Sequence, residues 1–402
     1  MKKHLTVIAA AAVALSATFI FSGCSGKKYE LYTNIPENAY EKMSDEYSAT
    51  NIPNGTFGAL NADKEENYEG YTTKTREWFG IINTDLTANL YVSDTFTDEA
   101  AVSRFNALCD EVSAMLQDIN YSLSASLENS SIYAFNNAEA GAKVEITQTA
   151  YTVLEIAKNA YEFTEGHYNP AVYYSVQAYG FGSEKNYPQN AAQLPSEETI
   201  SKYNILSAAF ADLQLVKEDG KTAKFYAVKP SVTVEVEGQT LAMKLDLGGI
   251  GKGYAADLAD KLMDKYGFKY GHFDFGGSSN VYKSHYAAGN YTLGVADPRN
   301  VFGGFYIKTD IAKQSLSTSG DNTLYYVIDN VRYCHVINPQ TGKPVQTGVS
   351  SATIIGGSAA ESDAYTTAIM AMGKDKAIKF ISEKLCDRRV VFTYDKASAQ
   401  TK

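Results

Sequence analysis

Three groups of residues have the types and spacing that chemistry needs. The first is the run Lys244-Leu-Asp-Leu-Gly-Gly-Ile-Gly-Lys-Gly-Tyr254. A glycine turn feeding a helix start aims free backbone N–H groups and the positive end of the helix dipole at one point, which suits a phosphate. Lys252 beside it adds a fixed charge for a pyrophosphate. Two specific phosphate motifs are excluded. A P-loop needs glycine where Asp246 stands and Ser or Thr where Gly253 stands, and a dinucleotide fingerprint needs glycine at Tyr254. On the residues alone, a tight packing turn remains the other reading. The second group is the helix starting Ala359-Ala-Glu-Ser-Asp-Ala-Tyr-Thr-Thr367, with Ser362 or Asp363 in its first turn. Asp363 and Thr367 are four apart and share a helix face. A carboxylate and a hydroxyl near a helix N-terminus form a hard-oxygen corner for Mg2+, although an ordinary capping Asp looks the same. The third group is Cys334-His-Val-Ile-Asn-Pro-Gln-Thr-Gly-Lys-Pro344. His335 titrates near neutral pH and is the candidate proton-transferring group; a lone histidine on a strand can equally be structural.

These groups need a scaffold. The pattern predicts a buried strand over 240–247 and a helix over 252–265, with Tyr254, Ala255, Leu258, Ala259 and Leu262 on one face and Gly267 as its stop. A helix over 97–120 carries an apolar stripe that includes Leu108, Cys109, Val112, Met115 and Leu116, which makes Cys109 and Met115 core residues. A second amphipathic helix spans 147–165 and ends at Gly166. Residues 78–92 read as one strand, and short strands alternate through 213–237 after a helix that starts near Ser196. His272 to Tyr282 reads as strand, double glycine, strand; 291–298 as a strand with its turn; 316–321 as a polar turn. A hairpin over 325–337 turns at Asp329-Asn330, and the helix of Asp363 ends at Gly373. The fold class is therefore mixed α/β (α+β), with antiparallel sheet segments and packed helices.

Lys2, Lys3 and His4 precede an apolar run from Leu5 to Phe21, followed by Ser22-Gly23-Cys24. This is the pattern of a lipoprotein signal peptide over 1–23, after which Cys24 carries the lipid. Its length also makes a transmembrane anchor conceivable. Residues 24–76 are polar and lack a sustained period, which reads as a tether with one short helix near 37–46. The catalytic domain is expected over 77–395 and a tail over 396–402. The net charge of −10 argues against nucleic acid as the main partner. Three cysteines remain after Cys24, Cys109, Cys334 and Cys386; this odd, sparse set, with neither a CxxC pair nor a His/Cys cluster, does not read as a disulfide framework or a zinc site. Thirty tyrosines are a compositional bias, of which ring stacking on a ligand would use one or two.

The block Asp246-Leu-Gly-Gly-Ile-Gly-Lys-Gly-Tyr-Ala-Ala-Asp257 resembles the core motif of the ApbE-like FAD:protein FMN transferases. Further blocks follow the family order: Leu123 to Asn136, Gly166-His-Tyr-Asn-Pro-Ala-Val172 with Tyr179-Gly-Phe-Gly182, Leu316-Ser-Thr-Ser-Gly-Asp321, and Cys334 to Gly342. The resemblance covers about 79–391 and implies a T-fold-like core. It assigns flavin-nucleotide contacts to His167, Tyr168, Asn169, Asp246, Lys252 and Ile337. It places Mg2+ on Asp363, Thr367 and the backbone carbonyl of Gly249, and the proton transfer on His335. Ile82-Asn83-Thr84 is the nearest match to a family triplet that lines the flavin site. This chain has Asn169 and Asn338 where the family has Asp, Tyr179 where it has Trp, Ser126 where it often has Tyr, and Cys334 where it has Ser. The implied reaction is Mg2+-dependent transfer of FMN from FAD to a Thr or Ser hydroxyl of an exported or membrane-bound acceptor protein, with AMP leaving. An FAD pyrophosphatase and a non-catalytic flavin-binding lipoprotein are the alternatives. The implied address is the outer face of the cytoplasmic membrane.

Overall fold

The computed structural model describes residues 30–32, 65–68, 71–82, 84–93, 98–286, 289–299 and 305–394. The leader, Cys24, the short helix expected near 37–46, Asn83 and the tail lie outside the described residues. Strands rich in alternating apolar residues must bury one face, and amphipathic helices one stripe, so the two pack as layers. The main sheet has nine strands, hydrogen-bonded in the order Glu30–Tyr32, Arg389–Tyr394, Val349–Ile355, Gln314–Gly320, Ser279–Tyr282, Gly271–Phe275, Thr84–Ser93, Tyr71–Ile81 and Glu65–Tyr68. All neighbours are antiparallel except the first pair. The helices in chain order are α1 (Asp98–Leu123), α2 (Ser131–Asn137), α3 (Gln148–Phe163), α4 (Tyr173–Ala178), α5 (Glu197–Ala208), α6 (Gly251–Lys265), α7 (Ala359–Met372) and α8 (Lys374–Lys384).

Helices α1, α6 and α7 lie side by side on one face of the sheet, and α3 packs over α1 and α7. Leu108, Val112, Leu116 and Ile119 on the inner stripe of α1 are fully buried. Ala255, Ala256 and Ala259 of α6 and Ala360, Ala364 and Ala368 of α7 are buried too, and their small size lets two helices share the middle of the sheet at interior packing density. On the other face, the hairpin of Tyr291–Ala296 and Phe305–Ile311 covers Tyr282, Leu316 and Ile355. With both faces covered, the central strand Val349–Ile355 is buried at every position instead of alternating.

Four expectations change. Residues 78–92 form not one strand but most of a hairpin, because Gly80 and Ile82 take positive φ (67° and 48°) and reverse the chain between Tyr71–Ile81 and Thr84–Ser93. The polar stretch 316–321 is largely a sheet strand rather than a turn. Its hydroxyls are satisfied in place: Ser317 donates to Ala359 C=O at 3.2 Å and Thr318 pairs with Thr353 at 2.9 Å. The strand expected over 240–247 stops at Ala242. Beyond it the chain is extended but unpaired in any sheet, hung instead on Asn136 and Pro170. The expected boundary at residue 76/77 is crossed by the sheet, which takes in Glu65–Tyr68 and begins its next strand at Tyr71.

The inner stripe of α1 sets an expected outcome. Leu108→Ala leaves a cavity under the sheet and costs about 2–5 kcal/mol, whereas Val102→Ala, at a side chain 37% exposed, stays within about 0.5 kcal/mol. Urea unfolding midpoints of the two variants make the comparison.

Candidate active site

The bend after Leu247 and the start of α7 meet. Gly248 N–H donates to the Asp246 carboxylate at 2.8 Å and closes the bend. Helix α6 then starts at Gly251 without a side-chain cap, which leaves its N-terminal dipole open. Gly253 touches α7 directly: a Cβ there would lie 2.3 Å from the Ala359 carbonyl oxygen, so only glycine fits. Its N–H donates to Asp363 Oδ2 at 3.0 Å. One turn on, Asp257 caps α7 from across the crossing. It accepts from Ser358 Oγ at 2.6 Å and from the N–H groups of Ala359 and Ala360 at 2.7 and 3.0 Å. Ser358 is the N-cap, so Ser362 and Asp363 are the fourth and fifth helical residues, and Asp363 faces α6 instead of capping its own helix.

Around that crossing the polar groups converge. A methyl group on Gly249 would sit 3.4 Å from Thr367 Oγ1 and 3.5 Å from the Tyr168 ring. Thr367 Oγ1 donates to the Asp363 carbonyl at 3.1 Å and lies 3.2 Å from Ser319 Oγ. The Lys252 ammonium is 3.4 Å from the Gly248 carbonyl oxygen. Burial pushes the Asp363 carboxyl above its usual range, opposed by Lys252 and the Gly253 N–H. Burial raises Asp246 as well, opposed by the Gly248 N–H and Lys252. The Tyr168 hydroxyl is buried without a partner, and both carboxylates act on it. A buried carboxylate and an orphaned hydroxyl beside it are costly unless a ligand completes them. Among the described residues no three His, Cys, Asp or Glu side chains cluster. A cation here would rest on the Asp363 carboxylate and neutral oxygens, a donor set that fits Mg2+, which keeps positions for water and phosphate.

His335 follows the strand Val331–Cys334. Its N–H donates to the Leu324 carbonyl at 3.0 Å, and its Nδ1 lies 3.4 Å from the same oxygen, which places the ring proton on Nδ1 and leaves Nε2 as the basic nitrogen. Burial, then the positive charge of Lys252, push its pKa down to about 4. The imidazole is therefore neutral at pH 7, with Nε2 unprotonated. Phe181 packs edge-on against it at 6.5 Å and stacks in turn on Tyr326 at 5.4 Å, which stacks on Tyr333 at 5.3 Å.

The remaining expected site residues have other engagements. Asn169 donates to the Ser207 carbonyl at 2.9 Å and accepts from Ala171 N–H at 2.9 Å, so its amide braces its own loop. His167 Nδ1 lies 2.9 Å from the Thr164 carbonyl oxygen at the end of α3, and burial lowers its pKa. Ile337 is buried with Tyr179 and Ile200 in a separate small cluster. Asn338 donates to the Ala371 carbonyl at 3.2 Å and accepts from Gln340 N–H at 2.9 Å, two roles that a carboxylate could not both fill. Burial pushes the Cys334 thiol up to about 12, so it stays protonated. Ser126 is exposed and 3.3 Å from Ser124 Oγ. Sequence reasoning missed Ser319 because it read its strand as a turn. It also missed the capping role of Asp257, which closes the glycine motif at the spacing of one further helical turn.

The profile of the ApbE family matches residues 83–392. The chain belongs to the ApbE family. The FAD:protein FMN transferase of Escherichia coli K12 is 27% identical over 270 residues, which is 67% of this chain and 72% of that protein. The Treponema pallidum protein of the same name is 26% identical over 289 residues, 69% and 75% of the two chains. Among solved structures, the ApbE protein of Thermotoga maritima aligns with a TM-score of 0.64 at 23% identity, over 81% of this chain and 97% of its own. The flavin transferase ApbE of Vibrio cholerae aligns with a TM-score of 0.61 at 19% identity, over 80% and 93%. At those identities the two structures establish the shared fold.

The α6–α7 crossing makes a direct forecast. Gly253→Ala must push a methyl group into the Ala359 carbonyl and lengthen the bond to Asp363. Melting temperature and FAD titration of the variant are both expected to fall, while Gly220→Ala, where a methyl group meets only an ordinary 3.5 Å contact, leaves both as in the parent protein.

Proposed function

We propose that the protein transfers FMN from FAD to a Thr or Ser hydroxyl of an acceptor protein and releases AMP. The observation that carries this reading is the junction of the glycine bend with Asp363 and Thr367, beside Lys252, whose charge also acts on His335. Family membership and the printed names of the relatives support the transferase class.

In this reading the open N-terminus of α6 and Lys252 hold the FAD diphosphate. Asp363, Thr367 and the Gly249 carbonyl would hold Mg2+, whose charge offsets that of the diphosphate as it develops on the leaving oxygen. Tyr168 supplies a hydrogen bond from the floor. His335 Nε2 takes the acceptor's hydroxyl proton. The freed oxygen forms the new bond to the FMN phosphorus, the P–O bond to the AMP bridging oxygen breaks, and AMP leaves as the phosphomonoester. Phe181, edge-on against the His335 ring, would narrow the approach of water to it. The segments of His167, Asn169 and Ile337 would line the flavin mainly through backbone, since the Asn169 amide and the Ile337 side chain are engaged elsewhere.

The leader and Ser22-Gly23-Cys24 support export and lipid anchoring at Cys24, which would present the site to exported or membrane-bound acceptors. Cys24→Ala is expected to abolish lipid attachment, read as loss of metabolic labelling with a fatty acid and a shift in mass.

The deciding assay combines the purified protein with FAD, Mg2+ and a Thr-containing acceptor peptide. Covalent flavin on the peptide is expected. Free FMN alone would assign a pyrophosphatase, and bound, unchanged FAD a carrier. Asp363→Ala is expected to remove Mg2+-dependent turnover, and His335→Ala to lower transfer by about 100- to 10,000-fold. Rate against pH carries a further signature. The base form of His335 is present above its depressed pKa and is lost only as pH falls through it, so kcat/KM should be level from about pH 6 upward. A midpoint near 6.5, the ordinary histidine value, would overturn the depression of the His335 pKa, and a pH profile left unchanged by His335→Ala would remove His335 from the base role.

A further inference from the structure

The glycine bend is approached by a stretch, 243–247, that belongs to no strand. Extended backbone buried without a ladder must find its hydrogen bonds elsewhere. Here it finds them in one side chain. Asn136, 3% exposed at the end of α2, donates from Nδ2 to the Leu245 carbonyl at 2.9 Å and accepts from the Leu245 N–H at 2.7 Å. The carboxamide thus stands in for a neighbouring strand at the residue next to Asp246, whose own N–H is taken by the Pro170 carbonyl at 2.7 Å. Asn136 is in turn fixed by Lys229, which is 1% exposed. The Lys229 ammonium donates to three carbonyls at the end of α2, those of Phe135 at 3.0 Å, Asn136 at 3.0 Å and Ala138 at 2.8 Å. All three of its protons are used, and a cation at a helix C-terminus is favourably placed. No carboxylate pairs with it among the described residues.

We propose that Asn136 is a positioning residue for the catalytic bend, and that Lys229 holds Asn136 in place. The chain of contacts runs from Lys229 through the end of α2 to Asn136, then to Leu245 and so to Asp246, Gly248 and Gly249. Neither side chain touches substrate. Their work is to hold the Asp246 carboxylate on the Gly248 N–H and the Gly249 backbone beside Thr367. Groups that orient the residues of a site are worth about 10- to 100-fold in affinity or activity, and they act through a unit rather than additively. This inference rests on the proposed flavin transfer at the same site.

The test uses the whole chain. Asn136→Asp keeps the acceptor for Leu245 N–H and replaces the donor with a charge facing a carbonyl; Lys229→Met keeps length and loses the ammonium; Lys229→Arg keeps a cationic donor. FAD affinity is read by quenching of flavin fluorescence, turnover by the peptide assay, and folding by melting temperature. Folded Asn136→Asp is expected to bind FAD and turn over about 10- to 100-fold less well. Lys229→Met should show a loss of FAD affinity that Lys229→Arg restores in part, and the double variant should be no worse than Asn136→Asp alone. FAD affinity and kcat/KM within twofold of the parent in the folded Asn136→Asp variant would overturn the proposal. If that variant does not fold, equal FAD affinity in Lys229→Met and the parent overturns it instead. The parent protein and Asp363→Ala serve as references: a parent that neither binds nor turns over FAD overturns the functional reading, and only a working parent with indifferent variants overturns the positioning role.

Discussion

Everything at the site depends on one close approach, the crossing of α6 over the start of α7 at Gly253. Two helix beginnings can lie this near only because one of them has no side chain at the point of contact. The approach places a backbone N–H of one helix against a buried carboxylate of the other, and Asp257 returns the favour by capping α7. Three conditions are thereby met together. A helix dipole is left open, a carboxylate is buried without a full counter-charge, and a hydroxyl sits beside a flexible glycine backbone. Each is unfavourable alone, and a bound diphosphate with its cation would relieve all of them.

The same crossing explains the electrostatics. Lys252 is one residue from the contact, so its charge reaches Asp246, Asp363 and His335 at once. For the carboxylates it partly offsets the cost of burial. For His335 it adds to that cost and holds the ring neutral. One cation thus acts on three buried titratable groups, favouring the charged form of the two acids and, after burial, disfavouring that of the imidazole.

The sheet contributes rigidity more than chemistry. Its central strands are covered on both faces, so the floor under α6 and α7 cannot shift without opening the core. Polar strand residues serve that floor: Ser317 and Ser319 reach α7 with their hydroxyls, which is why a stretch rich in Ser and Thr is stable in the middle of a sheet. The approach to the bend is the exception, held by an amide and a loop carbonyl instead of a ladder.

What the sequence by itself determined is local and chemical. Periodicity located α1, α3 and α6 to within a few residues, Gly373 marked the end of α7, and the turn at Asp329-Asn330 was legible because both residues take positive φ. Asp246, Lys252, Asp363, Thr367 and His335 were singled out by the resemblance of their motifs to the family, since the residue types alone left a structural reading open for each. What only the tertiary structure decided is which polar groups face a partner and which face the site. Asn169 and Asn338 present amides that a sequence cannot orient, and the fold spends both on backbone groups. Asp257 reads as one more helical acid until α7 lies opposite it, and Asn136 is 109 positions from the residue it holds. Hydrogen bonds to backbone carry no side-chain code in the partner, so nothing in the order of the residues marks Leu245 as the place where Asn136 ends.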